Sequence, residues 1–194
     1  MAFFHGILSV LLLVCPLFSA ADNAELKQIY DADQKDREGQ SIDWSKVGPR
    51  DVAREMRVRE MIDQALLVTG KDYERAAMVF QHGGSADDIL LAHILAVTAL
   101  GKGETGARWL AAASLDRFLQ RVGQAQVFGT QYSFKKPGDP WTMEPYNRKL
   151  VSPLLRDANC VPGMEDQAGM LESIIQGAEP KPPKKKPCAE PAKP

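Results

Sequence analysis

The sequence is poor in the residues that most often build catalytic and metal centres. It has 3 Cys and 3 His among 194 residues. No Cys-x-x-Cys pair occurs, so cysteine-based zinc binding is not indicated. His82 and His93 are the only histidines beyond the first segment, too few for a metal site to be more than a weak idea. There is no Gly-x-Ser-x-Gly elbow, phosphate loop, His-Glu-x-x-His or dinucleotide fingerprint. No metal or cofactor is therefore expected. Cys160 has Val161-Pro162 beside it, which gives a thiol nucleophile no activating neighbour. Charge of one sign is also lacking: 24 Lys and Arg nearly balance 25 Asp and Glu, for a net −1. That excludes a broadly basic nucleic-acid binder.

What remains is ordinary globular material, with 44% hydrophobic and 25% charged residues. The length suits one domain with appendages. The two ends differ from the middle. Residues 1–21 carry no Asp, Glu, Lys or Arg, and Ile7–Phe18 is an apolar stretch broken only by Ser9 and Pro16. That stretch is shorter than the roughly 20 residues a membrane span needs, and it suits the apolar region of a secretory signal. Ser19 and Ala21 place small residues for a cut before Asp22. The expectation is a signal peptide over 1–21 and export to the periplasm or medium, with an uncleaved anchor as the alternative. Residues 179–194 are rich in Pro and Lys and carry +3, which leaves −4 for residues 22–178. Such a segment cannot form a packed face, so a disordered tail is expected. Its charge also allows a weak contact with an anionic surface or envelope polymer. Cys160 and Cys188 could pair in an oxidising compartment, and a free or intermolecular thiol is the alternative.

Between the ends, apolar residues recur at helical spacing. Leu26, Ile29 and Tyr30 begin a helix running to about Arg37. A polar connection is expected from Gly39 to Pro49, then a second helix over Val52–Val68, stopped by Gly70. A third covers Tyr73–His82, with Asp72 as its cap. Ser85, with Asp88 three residues on, predicts a capping box at the start of a fourth. Its expected inner stripe is Ile89, Ala92, His93, Ala96, Val97 and Leu100. A fifth helix opens near Thr105 and turns Ala111, Leu115, Phe118 and Val122 to one side. Gln124–Phe134 reads as an extended loop or short strand and Lys135–Pro145 as a Pro/Gly-rich loop. A short turn near Leu150–Arg156 and a helix over Glu165–Gln176 follow. The fold class is therefore all-α, with a single helical domain of five to seven packed helices over residues 22–178. Its packing should be of the helix-hairpin, tetratricopeptide-like kind. No 34-residue period supports a true repeat array.

Several polar residues fall where apolar ones belong. His93 sits in an Ala-rich stripe and His82 at a helix end. Asp33 and Arg37 are an i, i+4 pair continuing the stripe of Leu26 and Tyr30. Asp116 shares a face with Trp109, and Arg117 follows it. Gln126, Thr130 and Gln131 add uncharged donors and acceptors beside Gly129, where the backbone can approach a ligand or another helix closely. These nine residues — Asp33, Arg37, His82, His93, Asp116, Arg117, Gln126, Thr130 and Gln131 — are the candidate polar cleft. Unpaired burial costs about 1–3 kcal/mol per group, so convergence is expected, with Asp116 touching Arg37, His82 or His93.

The segments Asp33-Gln34-Lys35-Asp36-Arg37, Phe80-Gln81-His82-Gly83, Ala92-His93-Ile94-Leu95-Ala96, Trp109 through Asp116-Arg117, and Gln126 through Gly129-Thr130-Gln131 resemble an uncharacterised bacterial family, the domain-of-unknown-function family numbered 6624. The resemblance covers about Leu26 to Phe134. It implies an α-helical domain, often behind a signal peptide, and supplies no reaction. The sequence therefore points to a binding or interaction module with a polar cleft, whose partner is unidentified and is a protein or an envelope polymer. One alternative is a hydrolase-like enzyme with His82 or His93 as general base, Asp116 orienting it and Arg117 stabilising an anion. Another is a purely structural scaffold.

Overall fold

The computed structural model describes residues 20–39 and 41–178, together with Cys188. The expected signal segment and most of the Pro/Lys tail lie outside the described residues. Those described form seven α-helices and no strand: α1 (Ala24–Lys35), α2 (Trp44–Asp63), α3 (Gly70–Gln81), α4 (Ala86–Gly101), α5 (Arg108–Arg121), α6 (Pro153–Ala158) and α7 (Met164–Ile175). None of them is long and apolar enough to cross a membrane. Packing is densest between α3 and α4 and between α4 and α5, the expected helix-hairpin arrangement, while α1 rests more on α3 than on its chain neighbour α2.

Local chemistry sets the boundaries. Ser85 and Asp88 form the expected capping box. A second box, Thr69 with Asp72, starts α3. Gly70 therefore opens a helix instead of closing one, and a Cβ there would lie 2.8 Å from the Glu104 Cβ. The start of α2 also differs from expectation. Asp43 caps it by accepting from Ser45 N, so the helix begins eight residues before Val52 and runs through Pro49. Pro49 is tolerated because it sits near the exposed N-terminal end, where only the bond to Ser45 is lost. The helix then ends early. Ala65 takes a left-handed φ of 55°, and Leu66 N bonds back to Met61 O while Ala65 N bonds to Ile62 O. This is a Schellman turn with alanine where glycine is usual.

Leu26, Val58, Met61, Val79, Phe80, Ala92, Ala96 and Leu110 meet in the core. Each fully buried large side chain there is worth about 1.5–3 kcal/mol of transfer free energy. The many alanines let α3, α4 and α5 approach closely. Two expected faces are rotated. On α4, Leu95 and Ala99 are buried while Val97 is 49% exposed. On α5, Ala112–Ser114 and Asp116 are buried while Val122 is exposed. Trp109 and Asp116 do share a side of α5, yet only Asp116 is covered, because the loop after α5 folds back over that end alone.

That loop runs without a strand from Gly123 to Ser152, pinned by isolated bridges between Gln126 and Tyr146 and between Ser133 and Thr142. Cys188 is joined to Cys160 by a disulfide, which settles the open pairing and ties one point of the tail to the domain beside α6.

Candidate functional site

The polar residues form two networks joined by one arginine, not a single cluster on Asp116. The first lies between α1, α2 and the end of α3. Asp33 is buried and accepts from Arg37 Nη1 at 2.9 Å and Gln34 Nε2 at 2.8 Å. His82 Nδ1 lies 3.0 Å from Asp33 Oδ2. A carboxylate only accepts, so Nδ1 carries a proton and donates it to Asp33. Arg37 Nη2 continues to Asp51 at 2.6 Å, and Arg54 bonds both Asp51 and Asp36. Alternating signs keep these part-buried charges paired. Beside them, Glu55 has its carboxyl pushed up to about 7, first by burial and then by the negative charges of Asp88 and Asp51.

The second network holds the loop. Asp116 is fully buried and takes four hydrogen bonds: Val127 N at 2.7 Å, Phe128 N at 2.9 Å, Thr130 N at 2.9 Å and Thr130 Oγ1 at 2.8 Å. A carboxylate at that point satisfies three backbone N–H groups of a turn that has no helix or strand to do so. Gln126 and Gln131 interlock within the turn. Gln131 N donates to Gln126 Oε1 at 3.0 Å, and Gln126 Nε2 donates to Gln131 O at 3.0 Å and to Met143 O. Gly129, at φ 70°, packs against the phenol end of Tyr146, where a Cβ would come within 2.6 Å of the ring. The close approach at this glycine is thus to a tyrosine of the same long loop, not to another helix. Behind it, the Tyr146 hydroxyl accepts from the buried Arg156, whose other nitrogens donate to Pro162 O. Gln167 Nε2 donates to Phe128 O and Gly129 O.

Arg117 links the two. It turns away from its neighbour Asp116 and donates from Nε to Gln131 Oε1 at 2.9 Å and from Nη1 to Gln81 O at 2.6 Å. Burial, followed by the positive charges of Arg121 and Arg37, pulls its pKa down. The Gln81 side chain is itself buried, and its Oε1 has no partner among the described residues. His93 stands apart from both networks, with Nδ1 2.9 Å from Ala111 O, where it fixes α4 against α5.

The expected contact of Asp116 with Arg37, His82 or His93 is therefore not made. His82 and Arg37 pair with Asp33, His93 with a carbonyl, and Asp116 with backbone amides that no side-chain pattern reveals. Asp116 orients neither histidine, so the triad of the enzyme alternative is not assembled as expected.

A cavity of about 540 Å³ opens where the second network meets the surface. Arg117, Arg121, Gln124, Gln131, Lys135 and Glu144 supply its polar wall. Of the nine residues singled out from sequence, Arg117 and Gln131 line it. An adjoining cavity of about 560 Å³ shares Lys135, Glu144 and Pro145 and adds Asp139, Pro140 and Thr142. Sequence reasoning passed over Arg121 and Lys135, whose spacing is that of any solvated charge. It also passed over Glu55 and Arg156, and over Tyr146 and Gln167, which bond to the Phe128–Gly129 turn across 18 and 39 positions of chain.

No family model matches this chain, and no curated protein or solved structure matches it either.

Proposed function

We propose that the chain is an exported binding module and that its ligand enters the cleft over Arg117 and Gln131. The observation that carries this reading is the cleft's construction. Its floor side chains are fixed by the two networks, while its volume falls in the range that suits small-molecule sites. A polar cleft held this rigidly loses little entropy when a ligand arrives. The domain-of-unknown-function resemblance fits such a module and adds no chemistry.

Two observations support export. The Cys160–Cys188 bond belongs to an oxidising compartment. Asp22, the residue expected after the cut, is already docked: its carboxylate takes Arg75 Nη1 at 3.0 Å and Thr69 Oγ1 at 2.8 Å. Asp22 is thus held by the helices at the position where a signal would end, and N-terminal sequencing of the mature protein should begin there.

The cleft is tested by filling it. Gln124 is exposed on its wall, so Gln124→Trp occludes it without touching the core. A ligand at a hundred times its dissociation constant stabilises the native state by about 2.7 kcal/mol, which is roughly 5–10 °C in Tm for a chain of this size. A thermal-shift screen of polar small molecules should give such shifts in the wild type and none in Gln124→Trp. Shifts that persist in the variant, or no shift at all, contradict the reading.

The Asp33–His82 pair favours a second reading, hydrolysis, with Asp33 in the orienting role first expected of Asp116. His82 Nε2 has no partner among the described residues and is free to act as a base. This reading stands second because neither residue lines the two cavities described above. Ester hydrolysis that disappears in His82→Gln, with binding retained, would place it first.

A further inference from the structure

We propose that the ligand of the cleft is a small organic oxyanion, a carboxylate or a phosphate monoester, whose charged head sits on Arg117 and Arg121 and whose body lies across Lys135 toward Pro140 and Pro145. This rests on the cleft being the binding site and adds the charge and polarity of what fills it.

One part-buried arginine of the cleft, Arg117, lacks a counter-charge among the described residues. The fold answers its other part-buried arginines. Arg37 and Arg54 each meet carboxylates, and Arg156 spends Nε, Nη1 and Nη2 on two protein oxygens. Arg117 differs. Among the described residues it makes no ion pair, and its two hydrogen bonds use Nε and Nη1, which leaves Nη2 without an acceptor there. It lines the cavity. A guanidinium in that state binds carboxylate or phosphate oxygens better than it binds neutral groups, because both its charge and its fork geometry are then used.

The neighbours reinforce the sign. Arg121 lies one helical turn on, with Nη1 donating to Gly84 O, and it is a second cation on the same wall. Two like charges at i, i+4 repel one another unless an anion lies between them. Lys135 is a third cation, with no ion pair among the described residues. The single carboxylate of this cavity, Glu144, is answered by Arg148 at 2.5 Å, which is not itself on the wall. The wall therefore presents uncompensated positive charge in a chain whose domain is net negative.

The adjoining cavity sets the rest of the ligand. Pro140 and Pro145 give it a flat, apolar shelf, which suits a ring or alkyl body. Asp139 at its far side disfavours a second negative charge there. An anion with one charged head and a neutral body fits both halves.

The test uses isothermal titration of the disulfide-bonded mature chain with three probes: N-benzoylglycinate, its neutral amide N-benzoylglycinamide, and phenyl phosphate. The expected result is binding of at least one anion and at least tenfold weaker binding of the amide. Arg121→Glu and Lys135→Glu are surface changes that leave the fold intact. Each should weaken the anion by about tenfold or more and leave the amide unchanged. Arg117→Lys should also weaken it, since a point charge replaces the fork. A preference for N-benzoylglycinate assigns a carboxylate ligand, and one for phenyl phosphate a phosphate monoester. Amide binding equal to that of the anions, lost in Gln124→Trp, overturns the charge assignment and leaves the cleft reading standing. No binding by any probe, with a positive thermal-shift hit elsewhere in the cleft, likewise overturns this proposal alone. Anion binding that ignores both charge reversals overturns it too.

Discussion

Asp116 carries the loop that makes the cleft wall, so its replacement is the sharpest test of that architecture. Asp116→Ala removes the acceptor of three backbone N–H groups and one hydroxyl. A hydrogen bond to a charged group is worth about 1.5–3 kcal/mol, but these four are not independent, and an opened turn recovers water. The expected loss is about 3–4 kcal/mol, or roughly 10 °C in Tm. Asp116→Asn discriminates better. Oδ1 takes Val127 N and Phe128 N, and Oδ2 takes Thr130 N and Oγ1. Whichever way an amide is turned, its NH₂ faces donors. The least costly choice puts it toward Thr130, whose hydroxyl can rotate to accept but whose N–H cannot. One stranded backbone donor costs about 1–3 kcal/mol, so Asn should lose about 2 kcal/mol. Urea unfolding followed by tryptophan fluorescence measures both, provided the slope m stays constant. An Asn variant as stable as the wild type would refute the claim that a charged acceptor holds this turn.

Three further outcomes follow from the geometry. Gly129→Ala meets both a left-handed φ and the Tyr146 ring, and should cost about 2–4 kcal/mol; a neutral effect in urea unfolding would show that the turn sits elsewhere. Native Glu55 keeps its proton to about pH 7 while the unfolded chain releases it near 4.5. Stability should therefore fall as pH rises through that interval, because the native state binds more protons. Glu55→Gln should gain about 1 kcal/mol at pH 8, after discounting for solvent screening, and nothing at pH 4; an equal gain at both would contradict the cause given. Reduction of the Cys160–Cys188 bond, which spans a sequence separation of 28, should cost about 3–4 kcal/mol by chain entropy, and an unchanged denaturation midpoint in reductant would show that the bond restrains little.

Helices were legible wherever their punctuation is local. Ser85 and Asp88 announce α4 because both halves of the capping box lie within four residues. The start of α2 was hidden, because Pro49 reads as a break although a helix tolerates it near its N-terminus. Gly70 was read backwards, since glycine serves either end and only the Thr69–Asp72 box decides. For the site, the sequence showed which residues interrupt apolar faces, not what they touch. Asp116 binds backbone amides, which leave no trace in a side-chain pattern. His82 meets Asp33 across 49 positions of chain, which spacing arguments do not reach. Arg121 and Lys135 became notable only once the irregular 131–145 loop had closed a cavity around them.

The central claim is that the cleft over Arg117 and Gln131 receives the ligand. It is tested most directly by nitrogen-15 NMR mapping during titration with N-benzoylglycinate and phenyl phosphate. The expected shifts fall on the Arg117 Nε–H, on Gly123 and Gln124, and on Gln131 through Lys135. Shifts confined to the Asp33, Arg37 and His82 network, with the loop unmoved, would contradict the account and move the site to the other end of the same polar chain.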